Sequence, residues 1–185
     1  MFGWIFLGVL VVLVVWTIVM YNNLVTLQNQ VKNAWQQIDV QLKRRHDLIP
    51  NLVNTVKGAM EFEKETLSKV IEARARAVGA QTVSGKAEAE NMLTQALSKL
   101  FALVENYPDL KSNQNILQFQ EELTSTENRV GFARQFYNDI VAQFNIKQGV
   151  FPSNIIAGLF GFKEGEYFQA ETVAKEVPKV DLSLK

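Results

Sequence analysis

The chain has 185 residues, and its 19 basic and 19 acidic side chains cancel to no net formal charge. This balance argues against a nucleic-acid-binding protein, which would present a dense basic face. There is no cysteine, which excludes disulfides, thiolate catalysis and cysteine-based zinc sites, and a single histidine excludes an HExxH metal site.

The first predicted element is a membrane-spanning helix over residues 1–21. No charged side chain occurs before Lys32, and 13 of the first 20 residues are Val, Leu, Ile or Phe. About 20 apolar residues in a helix rise roughly 30 Å, the thickness of the hydrocarbon core. No basic residue precedes this stretch and no small-x-small cleavage site follows it, so we interpret it as an uncleaved anchor. The lipid bilayer is therefore the predicted partner of residues 1–21.

The charges that flank the anchor predict its orientation. No basic side chain precedes the anchor, whereas Lys32, Lys43, Arg44 and Arg45 follow it. Because basic flanks stay on the cytoplasmic side, the amino terminus is expected outside and the rest of the chain in the cytoplasm.

The anchor is expected to continue into a long first helix. After it, apolar residues recur at three- and four-residue steps, a pattern typical of helices packed side by side. Proline at position 50 either kinks or breaks this helix. The kink in a continuous helix is favoured because the apolar pattern resumes at Leu52 and runs to Val78. Gly79 then marks a stop, and residues from there to Lys86 are predicted to form a loop.

Two further helices are predicted. The second covers residues 86–106, and the third covers residues 110–148, with a turn at Tyr107-Pro108-Asp109 between them. The third carries the clearest apolar face: Ile116, Phe119, Leu123, Val130, Tyr137, Ile140, Val141 and Phe144. The predicted fold class is therefore all-α, with the transmembrane helix continuing into a helical region over residues 22–148.

The tail, residues 149–185, differs from the rest in composition. Its first part, GVFPSNIIAGLFGFKEGEYFQA, has a Gly and Pro spacing unlike the preceding helices, and its C-terminus is polar. So much apolar surface is not expected to stay exposed. One interpretation is that the tail packs on the membrane-proximal end of the bundle. The other is that Phe151, Phe160 and Phe162 contact the membrane or a partner protein.

No motif in the chain indicates catalysis. The sequence lacks GxGxxG, GxxxxGK[ST] and GxSxG patterns. The adjacent carboxylates Glu121 and Glu122 point in different directions on a helix. We therefore predict a protein that is not an enzyme, with no catalytic, cofactor-binding or metal-binding residues.

Several segments resemble the LemA family of bacterial membrane proteins. They are KRRHDLIPNLVNTVKGAMEFEKETLSKVIEARARA (residues 43–77), ENYPDLKSNQNILQFQEELTSTENRVGFARQFYN (105–138), FPSNIIAGLFGF (151–162) and the pair Tyr167-Phe168. The resemblance implies a single-pass anchor followed by an antiparallel bundle of three to four long helices, in the bacterial inner membrane. It implies no enzymatic activity. Family members often lie near genes for a membrane protease and for secreted repeat-rich proteins.

Four polar residues precede Pro50 within the resembling segment: Arg44, Arg45, His46 and Asp47. One interpretation is that they form inter-helix ion pairs, for which Glu122 and Glu127 on the third helix offer opposing charges. The other is a polar recognition site at the kink. His46 is interpreted as an inert residue on the helix surface rather than a pH sensor.

Near the end of the third helix, Tyr137, Asn138 and Asn145 are predicted to satisfy backbone groups where the tail leaves the bundle. The function predicted for the whole chain is a non-enzymatic, membrane-anchored scaffold or interaction protein. The alternatives are a homo-oligomeric membrane coat and an accessory factor of a membrane protease or secretion pathway. The expected protein partner is thus a second copy or an unknown membrane protein.

Overall fold

A computed structural model describes residues 2–58, 60 and 63–169, which form six helices. These are α1 (Phe2–Lys57), α2 (Lys64–Gly79), α3 (Val83–Val104), α4 (Pro108–Lys111), α5 (Gln114–Gly149) and α6 (Ser153–Phe160). No β-strand occurs in the described ranges, and the predicted all-α fold class is confirmed. The predicted polar C-terminus lies outside the described residues.

The helix α1 passes through Pro50 without a break, as the favoured prediction requires. Proline has no backbone N–H, so the carbonyl four residues earlier, that of His46, lacks its helical donor. The Arg74 side chain replaces that donor, because its Nε donates to the His46 carbonyl oxygen at 2.8 Å. The missing hydrogen bond is thus compensated from another helix.

The predicted continuation of this helix to Gly79 is wrong. The helix α1 ends at Lys57, and α2 begins only at Lys64. Gly58 directly follows the end of α1, and glycine disfavours a helix by about 1 kcal/mol relative to alanine. Met60 in the connection is fully buried and belongs to the same apolar core as Leu67 and Val70 of α2.

The chain divides into two compact units. Among the described residues, the first unit comprises 2–44 and 126–167, and the second comprises the described residues of 45–125 together with 168–169. The domain boundaries predicted at residues 21 and 148 stay predictions.

In the first unit, α1 and α5 run antiparallel. Trp35 on α1 lies against Tyr137 on α5, with 5.4 Å between the ring centroids. Tyr21, earlier on α1, contacts Phe162, which in turn packs against Phe144, later on α5. The buried apolar residues of the two helices in this unit are Leu24, Ala34, Ile38, Leu42, Val130, Tyr137, Ile140, Val141 and Phe144. The part of the predicted apolar face that lies in this unit, from Val130 to Phe144, is buried as expected.

In the second unit, α2 and α3 are joined by residues 80–82 and share one apolar core with neighbouring helices. The predicted loop to Lys86 is too long, because α3 begins at Val83. Thr82 caps this helix, accepting a hydrogen bond from the Gly85 N–H at 3.1 Å. Ile71 and Val78 lie within the apolar pattern that was predicted to run from Leu52 to Val78, but each is about half exposed.

The start of the predicted third helix also differs. Pro108 begins the one-turn helix α4, and α5 starts at Gln114 rather than near Leu110. Ser112 and Asn113 separate them, and the Asn113 side-chain Oδ1 accepts from the Asn115 N–H at 2.9 Å. A side-chain acceptor at this position favours a new helix start.

The apolar tail contains a helix, contrary to the prediction from its Gly and Pro spacing. The helix α6 covers Ser153–Phe160 and ends at Gly161, whose φ of 70° lies in the left-handed region. Glycine ends helices in this conformation without steric strain. The Ser153 hydroxyl donates to the Lys147 carbonyl at 2.6 Å, which holds the start of α6 against the end of α5.

The N-terminal part of α1 is long and apolar enough to cross a membrane. Apart from the partly buried Trp16, its large apolar side chains from Phe2 to Val19 are between 46% and 90% exposed. A helix that were part of a soluble core would bury such side chains. The exposed apolar helix therefore indicates membrane anchoring, in line with the prediction.

Candidate functional site

The four polar residues before Pro50 do not share one environment. Arg45 and His46 are buried, at 2% and 7% exposure, whereas Arg44 and Asp47 are exposed. Adjacent residues on a helix point in different directions, so a run of four necessarily divides between the core and the solvent. His46 is therefore not on the surface, which corrects that prediction. A recognition role for the four residues stays a prediction.

Arg45 and His46 both contact Glu90 on α3. His46 Nε2 lies 2.5 Å from Glu90 Oε1, and Arg45 Nη1 lies 3.4 Å from Glu90 Oε2. Arg45 Nη2 also donates to the Thr94 hydroxyl at 2.9 Å. Glu90 has no exposed surface at all. These four residues form the Glu90 cluster.

The Glu90 cluster is a structural ion-pair site. A carboxylate without solvent access is strongly unfavourable unless charged or hydrogen-bonding groups surround it. The cluster joins α1 to α3. In residues 2–58, 60 and 63–169, no group of three His, Cys, Asp or Glu side chains is arranged to hold a metal ion.

An inter-helix ion pair was predicted for this segment, but Glu90 was not recognised as the acceptor. The position of Glu90 in the predicted second helix could have identified it as a buried charge. Glu90 precedes the buried Leu93 by three residues and Leu97 by seven, so it lies on the apolar face of α3. A charged residue at such a position requires a partner from another helix.

The three predicted tail aromatics occupy different environments. Phe162 is partly buried, packing with Met20 on the small cluster of Leu24, Ile156 and Ala157. The Phe160 ring lies 4.7 Å from that of Tyr21 (centroid to centroid) but is 52% exposed, and Phe151 is 79% exposed. The tail thus covers α1 with one face of α6 and leaves the other face free.

Side chains of α5 hold the extended segment that follows α6. Asn145 Nδ2 donates to the Gly165 carbonyl at 3.0 Å, and its Oδ1 accepts from the Gly165 N–H at 2.7 Å. The Tyr137 hydroxyl donates to the Glu166 carbonyl at 2.7 Å. Burial, and secondarily the Glu166 charge, raises the pKa of Tyr137. The predicted role of Tyr137 and Asn145 in satisfying tail backbone groups is confirmed.

The first unit also contains an open groove between α1 and α5, which sequence reasoning missed. Its volume is about 830 Å³, and it is lined by Asn33, Gln36, Gln37, Val40, Gln41, Arg129, Phe132, Ala133 and Phe136. Three apolar side chains in this Phe132 groove are exposed: Phe132 by 73%, Val40 by 64% and Phe136 by 47%. The spacing of Phe132 and Phe136 could have indicated the groove, because the two residues are four apart and do not belong to the buried face of α5.

The model of the LemA family matches residues 34–182, most of the chain. The chain belongs to the LemA family. Both the Glu90 cluster and the Phe132 groove lie within the matched residues, apart from the groove's Asn33.

Relatives of this LemA-family chain include proteins with two different names. Protein LemA of Metamycoplasma hominis is 29% identical over 162 residues, which cover 87% of this chain and 72% of that protein. Magnetosome protein MamQ 2 of Paramagnetospirillum magneticum is 28% identical over 184 residues, covering 85% of this chain and 67% of the relative. Magnetosome protein MamQ of Magnetospirillum gryphiswaldense is 26% identical with the same coverage.

Proposed function

We propose that this LemA-family protein is a non-enzymatic, membrane-anchored scaffold that binds an amphipathic helix of a second protein molecule. The observation that carries this proposal is the Phe132 groove, where two aromatic rings and a valine face solvent. Exposed apolar side chains that cluster beside polar groups are typical of protein–protein contact sites.

The shape and chemistry of the groove favour a helical ligand. The groove runs between two antiparallel helices, so a third helix placed in it would complete a three-helix packing. Phe132 and Phe136, four residues apart, would contact successive turns of that helix. Gln36, Gln37 and Arg129 also line the groove, and their side chains can pair with polar groups of the ligand.

The position of the groove along α1 favours a protein ligand over lipid. Val40 follows Tyr21 by 19 residues, about 28 Å of helical rise. Tyr21 marks the end of the apolar segment, where aromatic rings favour the headgroup layer. For a helix near the bilayer normal, Val40 therefore lies in the aqueous phase.

The structural use of the buried charged groups supports a non-enzymatic role. Arg45, His46 and Glu90 contact one another in the core rather than in an open cleft. Catalytic groups need access to a substrate, and these three side chains are buried.

A photocrosslinking experiment in cells tests the groove. A photoreactive phenylalanine analogue replaces Phe132 in the full chain, and we expect one discrete crosslinked product. A mass of twice the chain identifies a second copy, and another mass identifies a different protein. The matched control places the analogue at Leu117, which is 50% exposed on the same helix.

A second change makes this test decisive. Val40→Asp puts a charge on the opposite wall of the groove, so it should abolish the Phe132 crosslink while leaving the helical content intact. Crosslinking at Phe132 no stronger than at Leu117, or unaffected by Val40→Asp, would rule the groove out as the binding site.

We also propose that the helices lie in the cytoplasm of a bacterium whose inner membrane holds α1. The basic residues that follow the anchor support this orientation. The chain has no cysteine, so Ser98→Cys, at an exposed position of α3, gives a unique label site. A membrane-impermeant maleimide should label it only after the cells are permeabilised. Labelling in intact cells would reverse the orientation.

A further inference from the structure

Exposed apolar side chains are concentrated on α6 and on the adjoining end of α5. Six large apolar side chains between residues 146 and 160 are 44–79% exposed: Ile146, Val150, Phe151, Ile155, Leu159 and Phe160. We call this set the α6 patch. An exposed apolar surface of this extent is typical of an interaction site.

We propose that the α6 patch lies in the interfacial layer of the same bilayer that α1 spans, so that the protein contacts the membrane through two separate segments. The proposal rests on where α6 packs, on which side chains it leaves exposed and on the charges that flank it.

The packing of α6 places it at the end of the apolar anchor. Ile156 and Ala157, on its inner face, bury against Leu24 of α1. Leu24 follows Tyr21 by three residues, about 4.5 Å of helical rise. Phe160 contacts the Tyr21 ring directly. The patch therefore adjoins the exposed apolar surface of α1, which itself requires a hydrocarbon environment.

Two of the most exposed side chains of α6 share a face. Ile155 and Leu159 are four residues apart, one turn of helix, and are 58% and 75% exposed, whereas Ile156 and Ala157 are buried. A short helix with one face on the protein and an apolar face outward can insert the latter among lipid headgroups and the first acyl carbons.

The charges around the patch match a lipid surface. Residues 146–163 contain two lysines, Lys147 and Lys163, and no carboxylate. Lysine side chains can extend their ammonium groups toward lipid phosphates while their methylene stems stay with apolar neighbours. Acidic residues resume only at Glu164, where the chain turns back to the Asn145 contact.

Spin labels on single cysteines test this inference, since the natural chain has none. The full chain carrying Leu159→Cys is labelled with a nitroxide and reconstituted in vesicles of phosphatidylcholine and phosphatidylglycerol. Collision rates with oxygen, which concentrates in lipid, and with a water-soluble nickel chelate are then compared. We expect a several-fold higher oxygen-to-nickel ratio at Leu159→Cys than at Ile71→Cys, an exposed apolar position on α2.

A label at Val12→Cys in the anchor provides the reference for full membrane immersion, and Leu159→Cys should lie between it and Ile71→Cys. A second label at Ile155→Cys should behave like Leu159→Cys, and circular dichroism checks that each variant is folded. A ratio at Leu159→Cys equal to that at Ile71→Cys would overturn the inference. So would protection from both reagents, which indicates a face covered by protein.

Discussion

Arg74 donates a hydrogen bond from Nε to the backbone carbonyl of His46 at 2.8 Å, across 28 positions of sequence. That carbonyl is the one that Pro50 leaves without a helical N–H donor. The contact explains how α1 continues through a proline that would otherwise favour a break, and it connects α2 to α1 at the residue that also contacts Glu90.

This relationship predicts an energetic coupling between Arg74 and Pro50. Arg74→Met removes the substitute donor and should lower the free energy of unfolding by about 1–3 kcal/mol, the usual cost of a buried unpaired acceptor. In a Pro50→Ala background, the alanine N–H can bond the His46 carbonyl, so the same change should cost clearly less. Urea unfolding of the four proteins in the cycle measures this. Equal costs in both backgrounds would contradict the compensation.

We expect neutralising the Glu90 carboxylate to lower the stability of the protein strongly. Glu90→Gln keeps the side-chain volume but leaves the buried Arg45 guanidinium without its counter-charge. Removing one partner of a buried pair typically costs about 3–5 kcal/mol. The matched control is Glu88→Gln, two residues earlier and exposed, which should change stability little. Similar melting temperatures for the two variants would show that Glu90 is not a buried charge.

We expect shortening one buried leucine side chain of α5 to destabilise the protein. Leu123 is 4% exposed, so Leu123→Ala should lower the free energy of unfolding by about 2–5 kcal/mol. Leu117 lies on the same helix and is 50% exposed, and Leu117→Ala should cost much less. Denaturant unfolding of both variants checks the difference. If Leu123→Ala were as stable as Leu117→Ala, this face of α5 would not be buried.

The Asn145 contact predicts how the tail is held. Asn145→Ala removes both hydrogen bonds to Gly165, so the Gly165 amide should exchange its hydrogen faster. Hydrogen exchange read out by mass spectrometry over residues 162–167 measures this. Gln143→Ala, at an exposed position of the same helix, is the control and should leave the exchange unchanged. Unaltered exchange in Asn145→Ala would mean that other contacts hold the segment.

We expect ionisation of the Tyr137 hydroxyl to destabilise the protein at alkaline pH. Its pKa is raised from 10.0, chiefly by burial and secondarily by Glu166. A raised pKa means that the folded state keeps the proton longer than the unfolded state does. The contribution of Tyr137 is therefore constant below about pH 10 and is lost as the pH rises beyond it.

Unfolding measured between pH 8 and pH 11 tests this, with both limits chosen to bracket the ordinary tyrosine pKa of about 10. Tyr137→Phe should reduce the alkaline loss, whereas Tyr167→Phe, at a more exposed tyrosine, should retain it. Some loss is expected to remain in Tyr137→Phe, because burial and the hydrogen bond to Glu63 also raise the pKa of Tyr107. An alkaline loss of the same size in Tyr137→Phe would exclude the buried hydroxyl as its source.

Sequence reasoning located contacts best where a local pattern determined them. The apolar face of α5 was predicted from its three- and four-residue spacing, and every predicted residue on that face is buried except Phe119, which is partly buried. The roles of Tyr137 and Asn145 followed from their position beside the tail. The helix α6 was missed because its glycines and proline suggested irregular structure, while its formation depends on burying Ile156 and Ala157 against Leu24.

The sequence by itself determined the membrane anchor, the all-α class and the buried faces of the long helices. Hydrophobic length and helical periodicity are properties of neighbouring residues, so they can be recognised without knowing the fold. Only the tertiary structure decided that Glu90 is the partner of Arg45 and His46, that Arg74 replaces the donor missing at Pro50, and that Val40 and Phe132 share a groove. Each of these depends on which helices lie side by side, because the groups involved are separated by tens of residues in the chain and meet only after packing.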